Sequence, residues 1–272
     1  MERDLYIEKK VKEKQGYFWG SDLLNIANAK TSKGEILGYR TGVLYLAPAD
    51  VSLSHGGKNI CPWASEGCRK GCLYSAGRGI YVATEISRIA KTLKYLYKRE
   101  EFLTELKMSI NKNIIMAENT GMTPAFRLNG TSDIGWDKLG IMQEFSDHIF
   151  YDYTKSKNRV LNNRVDNWHL TFSKSESNDE EVEEVIEKSD VNVAVVFSTK
   201  KKENLPLMYM GRKVIDCDSH DLRFLDDRNV ICGLRAKGKA RYDKSGFVVD
   251  VNQKKIKVNI SLDNNKKENK VA

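Results

Sequence analysis

The hydrophobic positions of this chain fall into short runs rich in β-branched and aromatic residues, most of them bounded by Gly, Asn, Asp or Ser. Such runs are typical of β-strands. They are apolar nearly throughout, which indicates strands that are covered on both faces of a parallel sheet. The predicted strands are Gly42–Ala47, Pro124–Asn129, His148–Tyr153, Trp168–Ser173, Val191–Ser198, Lys213–Cys217 and Asn229–Leu234, followed by an antiparallel hairpin of Gly246–Val251 and Lys255–Ser261.

Two segments between the first and second strands have helical periodicity instead. Apolar side chains recur at helical spacing in residues 82–100. The pattern repeats in residues 101–121 and ends at Gly121, a glycine suited to terminating a helix ahead of Pro124. The basic side chains predicted on the solvent side of the first helix are Arg88, Lys91, Lys94 and Lys98.

This order of elements predicts an α/β fold with a partial (β/α) barrel. The linkers that follow Tyr153 and Ser198 are weak helix candidates, which argues against a regular eight-fold barrel. We expect an N-terminal extension over residues 1–24, a single α/β domain over 25–261 and a disordered tail over 262–272.

Composition excludes several classes of protein. The chain has 272 residues, of which 40% are hydrophobic and 30% charged, with four prolines and five cysteines. A disordered polyelectrolyte, a collagen-like chain and a disulfide scaffold are therefore excluded. No apolar run approaches the length of a membrane span, and the charged N-terminus does not resemble a signal peptide, so we expect no membrane association and a cytoplasmic location.

The charge is uneven. Residues 179–188 hold six acidic residues and one lysine, a net charge of −5, so the rest of the chain carries +13 against +8 overall. Val182, Val185 and Ile186 form the buried stripe of a predicted acidic helix in this segment. The basic remainder predicts either simple colloidal solubility or attraction to a polyanion such as nucleic acid or a nucleotide.

Three of the five cysteines lie within twelve residues of a glycine-rich loop after the first strand. Cys61, Cys68 and Cys72 have the spacing C-x6-C-x3-C, and thiolates in such a group suit zinc or an iron–sulfur cluster. In a zinc site His55 would supply the fourth ligand, whereas a cluster would keep one iron open. The alternative is that the three thiols are small buried hydrophobic groups.

Polar side chains recur where the strands end. Ligands of α/β sheets bind outside the carboxyl ends of the strands, which is also where the cysteine loop lies. Cys217 and Cys232 have apolar strand contexts, which favour a structural role. The candidates to face a polar substrate are Arg127, Asp152, Lys155, His169 and Glu176.

The chain resembles the phage gene product 88 family. The resemblance is carried by Leu37–Asp50, Cys61–Gly79, Arg127–Asp133 (RLNGTSD), His169–Glu176 and the stretch VIDCDSHDLRFLD from Val214, and it extends from about Asn25 to Val249. For a phage-encoded chain, the expected location is the host cytoplasm.

The layout also resembles, more distantly, the radical S-adenosylmethionine enzymes. Their partial barrel carries three cysteines after the first strand that hold a [4Fe–4S] cluster, and a glycine-containing motif after the second strand approaches the cofactor. Their usual spacing is C-x3-C-x2-C, from which this chain departs. The resemblance implies Cys61, Cys68 and Cys72 as cluster ligands, a cofactor-binding set of Arg127, Asn129, Gly130, Thr131, Ser132 and Asp133, and a catalytic set of Asp152, Lys155, His169 and Glu176.

The leading hypothesis is therefore a radical-S-adenosylmethionine-like enzyme with a [4Fe–4S] cluster. Its substrate would be polar, with nucleotides and nucleic acid among the candidates. The alternative is a zinc-stabilised protein that binds nucleic acid through its basic surface, including Arg88, Lys91 and Lys98. A third hypothesis is a barrel-type hydrolytic or transfer enzyme that uses Asp and His. The sequence does not specify the substrate or the oligomeric state.

Overall fold

All seven strands expected from the apolar runs are present in the computed structural model, which describes residues 2–27, 31–75, 77–200 and 203–252. The first strand begins and ends earlier than expected, and beyond its end the carbonyls of Leu44 and Leu46 accept hydrogen bonds from the turn that follows the second strand. The strands are β1 (Tyr39–Val43), β2 (Thr123–Arg127), β3 (Ile149–Thr154), β4 (Trp168–Ser173), β5 (Val193–Phe197), β6 (Met208–Tyr209), β7 (Arg212–Asp216), β8 (Ile231–Arg235) and β9 (Val248–Val249).

The helices predicted between the first two strands and in the acidic segment are also present. None of the described helices is long and apolar enough to cross a membrane. The helices are α1 (Glu2–Lys14), α2 (Thr31–Glu35), α3 (Glu66–Lys70), α4 (Val82–Tyr97), α5 (Arg99–Glu118), α6 (Ile141–Glu144), α7 (Lys157–Leu161) and α8 (Asp179–Lys188), with 3-10 turns at Gly20–Asp22, Leu53–His55, Leu73–Ser75, Gly77–Ile80, Trp136–Leu139, Arg223–Leu225 and Gly238–Tyr242.

The strands form one open, mostly parallel sheet in the order β1-β2-β3-β4-β5-β8-β7-β6, with β9 paired to β5. Only β6 and β7 pair in antiparallel fashion among the paired strands described. The α/β class is therefore confirmed. The barrel is not confirmed, because the sheet does not close and β8 lies between β5 and β7, which departs from the chain order of a (β/α) barrel.

Two neighbouring strands separate in the middle of the sheet. β4 pairs with β5 only at Phe172↔Val193 and Ser173↔Ala194, and beyond these residues β9 lies parallel to β5. The segment expected as the first arm of a hairpin is therefore a parallel addition to the sheet. Its expected partner, Lys255–Ser261, lies outside the described residues, as does the expected tail over 262–272.

Alternate residues of the strands face two different layers. Phe126 and Phe150 pack in one core with residues of α4 and α5, including Ala90 and Phe102. Their neighbours on the other face pack against a segment after β7 instead: Ala125 and Tyr151 lie with Leu222 and Phe224. Both faces of the sheet are thus covered, as the apolar character of the strands requires.

The N-terminal segment covers α4, which corrects the expectation of a solvated basic face there. Ile7 and Val11 of α1 pack against Ile86, Ile89 and Leu93, and residues 17–24 cover the other side. Arg88 and Lys94 are buried, and Lys91 donates to the carbonyl of Leu23 at 2.7 Å. Burial lowers the pKa of Lys91 to about 8. Of the four basic residues assigned to this face, Lys98 alone is exposed.

Candidate functional site

A cavity of about 660 Å³ lies at the carboxyl ends of β2, β3, β4, β5 and β8. Ligand sites of open α/β sheets lie at this edge, and the separation of β4 from β5 opens the sheet there. Ser173, Ala194 and Phe247 line the cavity around that separation. The residues expected from the sequence that line it are Cys61, Cys68, Cys72, Arg127, Asn129, Gly130, Thr131, Ser132, Asp133 and Lys155.

The cysteine loop is organised around the short helix α3. Ser65 caps this helix and accepts a hydrogen bond from the backbone N–H of Cys68 at 3.2 Å. Cys72 follows the helix after Gly71, while Cys61 precedes it and is held by the backbone N–H of Ala49, 3.4 Å from its Sγ. All three thiols are partly exposed. The fold therefore brings the three cysteines onto one cavity wall.

Glu176 fixes α3 rather than lining the cavity. Its carboxylate accepts from the Ser65 hydroxyl and from the Gly67 backbone N–H, both at 2.7 Å. A Cβ on Gly67 would lie 2.6 Å from Cβ of Phe247 and 2.2 Å from Oγ of Ser245. Glycine is required at position 67 because the segment after β8 packs directly on the loop.

Two of these thiols, Cys61 and Cys72, lie in surroundings that oppose their ionisation. Burial raises the pKa of Cys61 to about 12, and the neighbouring Cys72, Asp133 and Cys68 add to this shift. Burial also raises the pKa of Cys72, with a contribution from Cys68. The negative charge of neighbouring thiols contributes to both raised pKa values, and a bound cation would offset that repulsion.

The turn after β2 is built by Asn129 and Gly130. The Asn129 side-chain oxygen accepts from Ser132, from the Ile134 backbone and from Trp136 at 2.8 to 3.1 Å. A Cβ on Gly130 would lie 2.6 Å from the Leu44 carbonyl oxygen. Only glycine lets the two chain segments approach this closely.

Asp133 is a structural anchor at the cavity wall. It accepts from the Thr154 hydroxyl at 2.8 Å, from the Lys155 backbone N–H at 3.0 Å and from Arg159. Thr131 donates to the Leu46 carbonyl at 2.6 Å, and its own carbonyl lies 3.7 Å from Sγ of Cys61. The turn and the cysteine loop are therefore in direct contact.

Three of the residues predicted to act at the site lie elsewhere. Asp152 is fully buried on the helix-facing side of β3 and accepts from the Asn129 backbone at 2.7 Å and from Trp168 at 3.1 Å. His169 lies at the amino end of β4, exposed beside Phe224. His55 lines a separate groove with Asp4, Glu8 and Glu85, so the structure does not bring it to the cysteines.

A family model described as "Gene product 88" matches residues 22–251, most of the chain. The protein belongs to the phage gene product 88 family. Comparisons with curated proteins and with solved structures give no match.

A second thiol group in this gene product 88 protein lies behind the cavity wall and was not expected from the sequence. Ligand atoms of Cys217, Asp226 and Cys232 all lie within 4.8 Å of one another, a group that could hold a metal ion. Nη1 of Arg223 lies 3.0 Å from Sγ of Cys232 and 3.1 Å from a carboxylate oxygen of Asp226. Its cationic guanidinium already contacts two of the three groups.

Tyr153 lies between the cavity and the second thiol group. It lines the cavity, the Arg127 guanidinium lies 4.7 Å from its ring centroid, and its hydroxyl is 3.9 Å from Sγ of Cys232. Cys217 directly follows β7, and Cys232 lies in β8. These two strands are parallel neighbours in the sheet. The proximity of the two cysteines requires β8 beside β7, which the sequence does not specify.

Proposed function

We propose that this protein is an iron–sulfur enzyme whose Cys61, Cys68 and Cys72 hold a cluster at the wall of the cavity, with chemistry similar to that of radical S-adenosylmethionine enzymes. The supporting observation is the placement of all three thiols on one cavity, opposite the carboxyl ends of the strands. The Asn129–Asp133 turn borders the same space. The first five strands also run in chain order, as they would in a partial barrel.

The separation of the thiols favours a cluster over a single zinc ion. Zinc bonds of about 2.3 Å at tetrahedral angles hold the sulfurs about 3.8 Å apart. In the part of the chain that the structure describes, Cys61, Cys68 and Cys72 do not form a group within 4.8 Å of one another. A cubane cluster binds each thiolate at a different iron and accommodates wider spacing.

The residues of the chain have distinct tasks in this proposal. Cys61, Cys68 and Cys72 would hold a [4Fe–4S] cluster with one open iron, and once reduced by an external one-electron donor it would supply the electron for reductive cleavage of S-adenosylmethionine. The Gly130 turn borders the cavity and packs closely on Leu44, while Asp133 holds the turn in place. Lys155 reaches into the cavity from the end of β3, and the apolar wall of Val196, Leu234 and Phe247 excludes water.

Anaerobic purification and reconstitution test the assignment. We expect about four irons and four sulfides per chain, a broad charge-transfer absorbance and an electron paramagnetic resonance signal of the reduced cluster that shifts when S-adenosylmethionine is added. Cys61→Ser, Cys68→Ser and Cys72→Ser should each lose most of the iron. Cys217→Ser is the matched control and should retain it; reconstituted wild-type protein without iron contradicts the proposal.

A zinc protein is the second candidate, and the Cys217, Asp226 and Cys232 group favours it because these ligand atoms are close enough for one ion. A metal there would have to displace the Arg223 guanidinium. The same elemental analysis separates the two candidates. Zinc that persists in Cys68→Ser but disappears in Cys217→Ser and Cys232→Ser would identify the second group as the metal centre.

A further inference from the structure

The lining of the cysteine cavity has an excess of positive charge. It contains seven lysine and arginine side chains against three aspartates. Clefts lined by one sign of charge concentrate ligands of the opposite sign. The excess belongs to the cavity itself and differs from the basic face of α4, which is mostly buried.

Most of these cations are already matched by carboxylates. The ion pairs are Arg69 with Asp50, Lys70 with Glu66, Arg127 with Asp221, and both Arg235 and Lys237 with Asp218. Among the described residues, Lys155 and Lys239 have no carboxylate within 4.0 Å. Two cavity lysines therefore remain to bind an anion.

Lys155 is held in position without being neutralised. Its ammonium donates to the Ser173 hydroxyl at 2.8 Å and lies 5.6 Å from the ring centroid of Phe247. An ammonium carries three donors, so it has capacity for further acceptors. Arg127 lines the same cavity, and its buried Nε has no hydrogen-bond partner in the described part of the chain.

We propose that the cavity binds a phosphate-bearing small molecule of nucleotide size, with its phosphate oxygens on Lys155 and Lys239. Phosphate oxygens form strong charge-assisted hydrogen bonds with ammonium groups, and a multiply charged ligand engages both lysines at once. The volume of about 660 Å³ lies within the range of sites for such ligands. The inference rests on the proposed function only in assigning ligand binding to this cavity.

Isothermal titration of the full chain at fixed ionic strength tests the assignment. The probes are pyrophosphate and ATP, with uncharged adenosine as the comparison. We expect both phosphate-bearing probes to bind at least tenfold more tightly than adenosine, and Lys155→Met to weaken them at least tenfold. Lys239→Met, at an exposed position with little risk to folding, should weaken them as well.

Lys244→Met is the matched control, since Lys244 is exposed and does not line the cavity. Equal binding of ATP and adenosine, or equal losses in Lys155→Met and Lys244→Met, would overturn the proposal. So would an oligonucleotide that binds with a steep salt dependence and is not displaced by ATP, because this would assign the charge to a nucleic-acid surface.

The same titration on Cys68→Ser separates this inference from the proposed cluster. Retained, lysine-dependent ATP binding in Cys68→Ser, which should lack iron, supports the anion site independently of the cluster. Iron-loaded wild-type protein that binds neither pyrophosphate nor ATP supports the cluster and contradicts the anion site.

Discussion

Asp152 shows how a residue predicted to be catalytic has a structural role within the fold. The apolar context of its strand implied that the carboxylate would have partners, and it does: the Asn129 backbone and the Trp168 indole. Through these bonds it connects the turn after β2 with β4. Its effect on the cavity is to position Asn129, since Asp152 itself faces the helices.

The raised pKa of Asp152 makes stability depend on pH. Burial raises this pKa from its usual value to about 7, so the folded state retains the proton more strongly than the unfolded state. The stabilisation is complete below about pH 4 and is lost as pH rises through 7, with a total of up to about 4 kcal/mol. Asp152→Asn should remove this dependence.

Urea unfolding at several pH values measures the effect. The wild-type free energy of unfolding should fall relative to that of Asp152→Asn between pH 4 and 7. Parallel profiles for the two proteins would contradict the raised pKa.

At the residue scale, sequence predicted which segments border the site better than which side chains point into it. Asp152 and Tyr153 are neighbours in one strand, and only Tyr153 lines the cavity. When both faces of a strand are apolar, the sequence has no alternation of polar and apolar residues that would show which side chains point toward the cavity. Residues beyond the strand end, such as Lys155, escape this ambiguity because they lie at the edge itself.

Among the elements, α3 is held almost entirely by contacts from distant parts of the chain. It has only five residues, which is too short for a stable isolated helix. Glu176 bonds to its first turn, and Phe247 packs against Gly71. The position of the cysteine loop is therefore determined by tertiary structure.

If Cys61, Cys68 and Cys72 hold a metal as proposed, Glu176→Ala should weaken its retention without removing a thiol. Loss of a supporting residue around a metal site typically costs 10-fold to 100-fold in affinity. Chelator titration of the reconstituted protein measures this change. Glu180→Ala, at an exposed position, is the control. Equal metal retention in the two variants would show that the contact of Glu176 with α3 does not affect metal binding.

The contact between α4 and α5 contains a buried ion pair. The Lys94 ammonium bonds to Glu105, both side chains are 1% exposed, and the Tyr17 carbonyl accepts from the same ammonium at 3.1 Å. The sequence assigned Lys94 to solvent because its helical position opposes the apolar stripe. It could not show that residues 17–24 cover that side.

Lys94→Met should destabilise the protein by about 3 to 5 kcal/mol, because it leaves the Glu105 charge buried without its partner. The double variant Lys94→Met with Glu105→Leu should recover most of the loss. Denaturant unfolding measures both, and the exposed Lys98→Met should change stability by less than about 0.5 kcal/mol. A Lys94→Met protein as stable as wild type would refute the buried pair.

At the scale of the whole molecule, the cavity unites segments that are far apart in sequence. The sequence predicted the α/β class, the strands and the sheet edge at which the candidate site lies. It could do so because apolar runs and turn residues are local features of the sequence. The order of β5, β8 and β7 could not be predicted, since it depends on how the crossovers pack. The cavity also opens where β4 separates from β5.

The packing of Ser245 and Phe247 on Gly67 also sets the order in which the site can form during synthesis. A growing chain releases the three cysteines early, but Glu176 emerges 109 residues after Gly67 and Phe247 emerges 180 residues after it. Until then, α3 lacks the contacts that these residues supply. The cysteine site is therefore complete only after nearly the whole chain has been translated, and a product truncated before residue 245 would carry the cysteines without the contacts of Ser245 and Phe247.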